Sequence, residues 1–378
     1  MSELFHGGEK KVEYIELVYD LIFVYLVGRS NALLHTIENG FFSANTYLTY
    51  IVATLVILQV WYFSTLFINR YGTNGAADHV CLFINMYLLY YLGDGTRLEG
   101  GYYVRYNVAW GLILLNLAAQ YFLKLRRSGG MMPWEDRHLK YHMRLLLLQS
   151  VLILLSIPLY NVTHIALSWV TLAVGFVAAA FTARIDALMP VNFEHLTERV
   201  MLYIVFTFGE MVVAIAEYVE GGFGVNTVYF SLMAFLIVGG LFLSYGVLYN
   251  HIIDRERQTT GTMYMYIHIV LVIALNNITV ALEFMREPEV ADTAKNIFLV
   301  ASFLAYYVFL FFIGYFAHES YRAGGGYFAK LAALSAAFAL AMALCYRNSW
   351  ISIAVSVLYV YAMFGMIVRR WKAVEKQS

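Results

Sequence analysis

TYLTYIVATLVILQVWYFSTLFI, residues 46–68, contains no Asp, Glu, Lys or Arg. An α-helix rises about 1.5 Å per residue, so a run of this length crosses a hydrocarbon layer about 30 Å thick. The run shows no strict alternation, so it does not read as a strand of a membrane β-barrel. Similar apolar runs recur along the chain. Twelve are read as spans: 14–35, 46–68, 78–92, 102–124, 140–158, 162–186, 194–217, 226–250, 262–285, 292–317, 328–346 and 349–371. The expected fold is therefore an all-α polytopic membrane protein with about 12 transmembrane helices.

Composition agrees. Hydrophobic residues make up 61% of the 378 and charged residues 13%, against about 45–50% and about 25% in soluble domains. The 25 Lys and Arg balance the 25 Asp and Glu, so no net charge recruits nucleic acid. Cys81 and Cys345 stand alone in apolar runs, which excludes a disulfide framework and a paired-cysteine zinc site. No GxxxxGK[ST] phosphate loop occurs. The first span carries Glu16 and Asp20, follows Glu13, and lacks a small-residue cleavage site. It is read as a span and not as a leader.

Lys and Arg mark the cytoplasmic side of a membrane protein. With the N-terminus inside, the inner segments collect Lys10, Lys11, Arg70, Arg184, Arg199, Arg255, Arg257, Arg322, Lys330, Arg369, Arg370, Lys372 and Lys376. They also hold all six basic residues of the 124–144 loop. Only Arg97, Arg105, Arg286, Lys295 and Arg347 fall outside. Both termini are expected in the cytoplasm. The chain divides into two six-helix halves, 1–190 and 191–378, which begin on the same side and so form a parallel repeat. The 124–144 loop reads as a solvated linker. Its His138 and His142 are four apart, a ligand spacing on a helix, but no third ligand lies nearby in sequence, so the pair reads as solvated and no metal site is assigned.

Four segments carry a family resemblance. Val12-Glu-Tyr-Ile-Glu16-Leu-Val-Tyr-Asp20-Leu-Ile-Phe23-Val is similar to the LELFFDLVFV signature of the bacterial low temperature requirement A (LtrA) family. Trp61-Tyr-Phe with Asn69-Arg70 resembles its W…ANR stretch. His195-Leu-Thr-Glu198-Arg199 with Phe208-Gly209-Glu210 resembles its HxxERxxLF…LGES segment, and Tyr266-Ile-His268 with Ala281-Leu-Glu283 its YLH…GxEH segment. Tyr19, Met211 and Phe284 depart from the family's usual Phe, Ser and His. The resemblance implies a multi-span protein of the bacterial cytoplasmic membrane and assigns no activity.

Charged groups within a bilayer cost about 2.5–3.5 kcal/mol each at the centre of a span, and they face the bundle interior. At 100° per residue, Glu13, Glu16 and Asp20 share a stripe on the first span. His195, Glu198, Gly209, Glu210, Val213 and Glu217 share one on the seventh, and His268, Asn276, Thr279 and Glu283 one on the ninth. Gly209 reads as a point of close helix approach, and Gly239-Gly240 in the eighth span as either the place where a broken helix would rely on glycine or a packing pair. Arg70 is expected to pair with Glu13 or Glu16. The pathway residues are thus Glu16, Asp20, Arg70, His195, Glu198, Arg199, Glu210, His268 and Glu283, with Glu210, His268 and Glu283 as a relay of protonatable groups.

This pattern favours proton- or ion-linked transport of a small solute or ion. A lipid-directed membrane enzyme and an ion channel are the alternatives. The sequence lacks a nucleophilic triad, an HExxH and a DxxxD motif, so the balance falls on the non-enzymatic side. The residues specify no cofactor, substrate or oligomeric state; the partner they do specify is the lipid bilayer.

Overall fold

The computed structural model describes residues 10–94, 102–127, 132–163, 168–219, 222 and 224–376. Arg97 and parts of the 124–144 loop and of the 162–186 span lie outside the described residues. The helices are α1 (Tyr14–Ser30), α2 (Ala44–Tyr71), α3 (Ala76–Asp94), α4 (Tyr102–Arg127), α5 (Pro133–Thr163), α6 (Ser168–Phe181) and the one-turn α7 (Ala183–Asp186). They continue with α8 (Phe193–Ala216), α9 (Val225–Val247), α10 (Thr262–Phe284), α11 (Asp292–Phe312), α12 (Gly325–Cys345) and α13 (Ser349–Glu375). Among the described residues, 10 helical segments are long and apolar enough to cross a membrane. The chain is an all-α integral membrane protein.

Two expected spans differ from the rest. The third is α3, 19 residues long, whose first turn holds Asp78 and His79 and lowers its hydropathy. The sixth is the 14-residue α6, which ends at Phe181 before the separate turn α7. The expected 124–144 linker is largely helix. Pro133 opens α5 with Glu135 and Asp136 in its first turn, the favoured residues for a helix start. Asp136 and Lys140 pair at 2.9 Å one turn apart.

The chain forms two compact units. The first comprises 1–33, 48–203 and 256–265, and the second 34–47, 204–255 and 266–378. In the first, α4 lies along α5 and against α3, and α1 packs on α3. The Ser150 hydroxyl donates to the Gly111 carbonyl at 2.8 Å and ties α5 to α4. In the second unit, α9 packs on α13 and α13 on α12. Gly239-Gly240 does not break α9, which runs unbroken from Val225 to Val247. Gly240 instead admits α13: a Cβ there would sit 2.5 Å from Val360 Cγ1. Phe338 and Tyr359 stack at 4.0 Å between α12 and α13.

Candidate functional site

Two buried polar clusters form within the first unit. The first begins on α1, where helical spacing puts Glu16, Tyr19, Asp20, Phe23 and Val27 on the buried face. Asp20 is fully buried and Glu16 nearly so. Such carboxylates need a cation and further donors, and Arg199 of α8, also fully buried, supplies the charge. Its Nε and Nη2 donate to the two Asp20 oxygens at 2.9 and 2.8 Å, a bidentate fork. Its Nη1 donates to Glu16 Oε2 at 2.8 Å. Trp61 Nε1 adds a donor to Asp20 Oδ1 at 3.0 Å, with its ring 4.3 Å from that of Tyr203.

The edge of this cluster fixes a tautomer. The Asn192 backbone N–H donates to Asn69 Oδ1 at 2.9 Å, so the other amide atom of Asn69 is the donor. That nitrogen lies 3.0 Å from His195 Nδ1, which must accept. The His195 proton therefore sits on Nε2, 3.5 Å from Glu16 Oε1. Close by, Lys10 Nζ donates to the carbonyls of Ile68, Asn69 and Gly72 and closes the end of α2. Burial pushes the Lys10 ammonium below its ordinary pKa.

The second cluster gathers around Asp186, which is fully buried with His138, while His142 is nearly so. His138 Nε2 lies 3.0 Å and His142 Nε2 3.5 Å from the same oxygen, Asp186 Oδ1. The outer ring nitrogens are held in place. His138 Nδ1 is 2.8 Å from the Tyr71 hydroxyl, and His142 Nδ1 donates to the His138 carbonyl at 3.0 Å. The Thr182 hydroxyl donates to the other Asp186 oxygen. Arg70 completes the site. Its Nε donates to Met189 O at 2.9 Å and its Nη2 to Thr260 O at 3.0 Å, which leaves Nη1 3.4 Å from Asp186 Oδ1.

This geometry suits a metal ion. A carbonyl only accepts, so His142 Nδ1 carries a proton, and a ring with no second proton turns its Nε2 lone pair toward a carboxylate oxygen. Two lone pairs facing each other are satisfied by a cation or by a second proton on the ring. The Tyr71 hydroxyl both donates and accepts, so His138 can carry its proton on Nδ1 and free Nε2 as a ligand. One ligand atom from each of the three residues lies within 4.8 Å of the others. Outer hydrogen bonds of this kind orient histidine ligands in metal sites.

The structure corrects several expectations. Arg70 pairs with Asp186, and Arg199 takes Glu16. Adjacent residues thus serve different clusters: Asn69 reaches His195 and Arg70 reaches Asp186. The acidic stripe of α8 is not its buried face. Glu198 and Glu210 are half-exposed and Val213 is 58% exposed, whereas Arg199 and Tyr203 are buried. Among the described residues, no atom of a neighbouring helix lies within 4 Å of a Cβ built on Gly209, so no close approach is seen there. In the second unit, His268 Nε2 lies 3.2 Å from the Tyr245 hydroxyl. Glu283 pairs with His35 at 2.9 Å. Glu210 joins neither of these pairs.

The expectation of a non-enzymatic chain without a metal site is also overturned. His138 and His142 are buried in α5 and meet a third candidate ligand in Asp186, a buried cluster whose geometry is consistent with holding a metal ion. The sequence carried half the signal. The i, i+4 histidines follow a Pro-x-Glu-Asp helix start, while Asp186 stands 48 residues beyond His138 on a separate turn.

A family model described as bacterial low temperature requirement A protein matches residues 11–364. No curated protein and no solved structure matches the chain.

Proposed function

The chain belongs to the bacterial low temperature requirement A family, and we propose that it is a membrane-embedded, metal-dependent enzyme acting on a lipid. The observation that carries this reading is the convergence of His138 Nε2, His142 Nε2 and an Asp186 oxygen in a buried site. Two His and one carboxylate leave a coordination position for water or substrate in catalytic zinc sites. A bound divalent ion supplies Lewis-acid polarisation and a water that ionises near neutral pH.

The chain's own residues do the rest. His142 is locked by its helix carbonyl with Nε2 as the ligand. The Tyr71 hydroxyl, able to accept at 2.8 Å, accommodates the His138 tautomer that frees Nε2. Arg70, anchored on two backbone carbonyls, keeps a guanidinium nitrogen beside Asp186. Asp186 carries one negative charge and Arg70 one positive charge, so a divalent ion leaves the site with surplus positive charge. An anionic substrate group offsets that surplus. A site within a bundle of membrane-crossing helices draws its substrate from the bilayer, which favours a lipid over a free solute. Transport, the reading built on acids of α1, α8 and α10, is the less supported one, since Glu16 and Asp20 are paired with Arg199 and Glu283 with His35. The Lys and Arg distribution supports both termini in the cytoplasm and the Arg70 end of α2 on the same side.

The test is turnover of phospholipids by the full chain in proteoliposomes, followed by mass spectrometry of the lipid fraction. Activity should vanish with a chelator, return with a divalent metal, and stay absent in His142→Ala under either condition. Turnover that survives both chelation and His142→Ala would refute the proposal.

A further inference from the structure

In the second unit, α13 is longer than a membrane crossing requires, and the excess is cationic. Asn348 fixes its start, the side chain accepting from the Trp350 and Ile351 N–H groups at 3.1 and 3.2 Å. From Ser349 to Val368 no Asp, Glu, Lys or Arg occurs, and that stretch of helix spans about 30 Å, the thickness of the hydrocarbon layer. Arg369, Arg370, Lys372, Glu375 and Lys376 follow at once. Trp350 and Trp371 stand at the two ends of the apolar stretch, where tryptophan is favoured at membrane–water boundaries. Trp350 stacks on Tyr229 at 4.3 Å and Trp371 on His251 at 4.1 Å.

Packing sets the facing of these cations. Val360, Met363 and Ile367 form the buried face of α13, and Trp371 continues it toward the turn that ends α9. At 100° per residue Arg369, Lys372 and Lys376 fall within an arc of about 60° on the opposite side, the side on which Leu358 is 72% exposed. All three are exposed, and among the described residues none of them is in an ion pair. Arg370 is engaged elsewhere. Its Nη2 donates to the Arg322 carbonyl at 2.7 Å and its guanidinium lies 5.4 Å from the Tyr327 ring, which ties α13 to the start of α12. The acids nearby leave the stripe positive. Glu319, on the turn that packs against α13, pairs with Arg322 at 3.8 Å, and Glu375 lies outside the arc.

We propose that Arg369, Lys372 and Lys376 form a surface for anionic phospholipid headgroups, which hold the end of α13 at the membrane boundary. Charge complementarity selects the occupant. A zwitterionic headgroup brings its own cation to the stripe, whereas an anionic one does not. The exposed apolar side that continues into the stripe places it under acyl chains and not against a soluble partner. Each Lys or Arg near a membrane surface enriches anionic lipid about fivefold, the equivalent of about 1 kcal/mol. The surface belongs to the second unit and is independent of the metal site.

The full chain, with Cys81→Ala and Cys345→Ser, receives one thiol fluorophore. It is placed at Ala373→Cys beside the stripe or, as a control, at Ile351→Cys on the other end of α13; both positions are exposed. Proteoliposomes hold equal amounts of phosphatidylglycerol and phosphatidylcholine, one of the two carrying a nitroxide quencher, and the ratio of quenching by the two gives the local enrichment. Beside the stripe the anionic lipid should be enriched about fivefold or more at low salt. At about 1 M salt, where the screening length falls to about 3 Å, the enrichment should drop below about twofold. Arg369→Gln with Lys372→Gln and Lys376→Gln should bring it below about twofold at low salt, while Arg369→Lys with Lys372→Arg and Lys376→Arg stays within about twofold of the unsubstituted stripe. The control position should show a ratio near one. Size-exclusion and circular dichroism profiles matching wild type establish that each variant is folded; Lys372→Gln alone, which should lower the enrichment about twofold or more, replaces a triple variant that is not. Enrichment below about twofold beside the intact stripe at low salt would overturn the proposal. So would enrichment unchanged in the neutral variants, or equal at the two ends of the helix. A second copy of the chain seated on the stripe would shield the fluorophore from both lipids alike, and that result too would overturn it.

Discussion

Arg199→Met tests the energetic centre of the first cluster. The substitution keeps most of the side-chain volume and removes the guanidinium that stands within 3 Å of both Glu16 and Asp20. Asp20 retains a single donor, Trp61 Nε1. Three charge-assisted bonds are lost, each of a kind worth about 1.5–3 kcal/mol. They do not add, because two carboxylates left without their cation take up protons. The net expectation is the cost of breaking a buried ion pair, about 3–5 kcal/mol, or roughly a hundred- to several-thousandfold in the folding equilibrium. The assay is unfolding in mixed micelles with rising dodecyl sulfate fraction, followed by circular dichroism. The triple variant Glu16→Gln, Asp20→Asn, Arg199→Met removes all three charges together and should recover at least half of the loss. An Arg199→Met loss below about 1 kcal/mol, or a triple variant as unstable as the single one, would refute the view that the three charges balance one another.

Trp61→Phe keeps an aromatic ring opposite Tyr203 and deletes the indole donor to Asp20; the same titration should show a loss of about 1.5–3 kcal/mol. Gly261 has φ +77°, and a Cβ there would lie 2.7 Å from Leu196 Cδ2, so Gly261→Ala should cost about 1–3 kcal/mol. Lys10→Met uncaps the end of α2 and should cost about 1–3 kcal/mol near neutral pH. Because burial lowers the Lys10 pKa, the folded state releases this proton before the unfolded state does. Wild-type stability relative to Lys10→Met should therefore rise as pH climbs from the lowered value toward 10.5; a difference that falls over that range would contradict the burial of Lys10.

The membrane-spanning character was legible because a run such as residues 46–68 has no soluble alternative. Helix ends were less so, since the polar start of α5 and the break at Thr182 depend on local turns that hydropathy averages away. The facing of α8 was misread for a physical reason. In the sequence the acids mark the interior face, but Arg199 finds its counterions on α1, while Glu198 and Glu210 remain half-buried. The residues Glu16, Asp20, Asn69, Arg70, His195 and Arg199 were all picked from motifs, yet the pairing among them was not legible. Two cations competed for the same carboxylates, and only the fold assigns Arg199 to Glu16 and Arg70 to Asp186. The histidine pair was visible by spacing. Its third ligand was hidden because α6 and the turn that follows bring Asp186 back to α5.

The most direct test of the account is the metal content of the full chain, purified without chelator, equilibrated with equimolar zinc, desalted and analysed by plasma mass spectrometry. About one zinc per chain is expected, held by three buried ligands. His142→Ala and Asp186→Asn should bind at least tenfold more weakly, and Tyr71→Phe, which removes the outer bond to His138, about tenfold or more. A wild-type chain that retains no metal, or variants that retain as much as wild type, would contradict it.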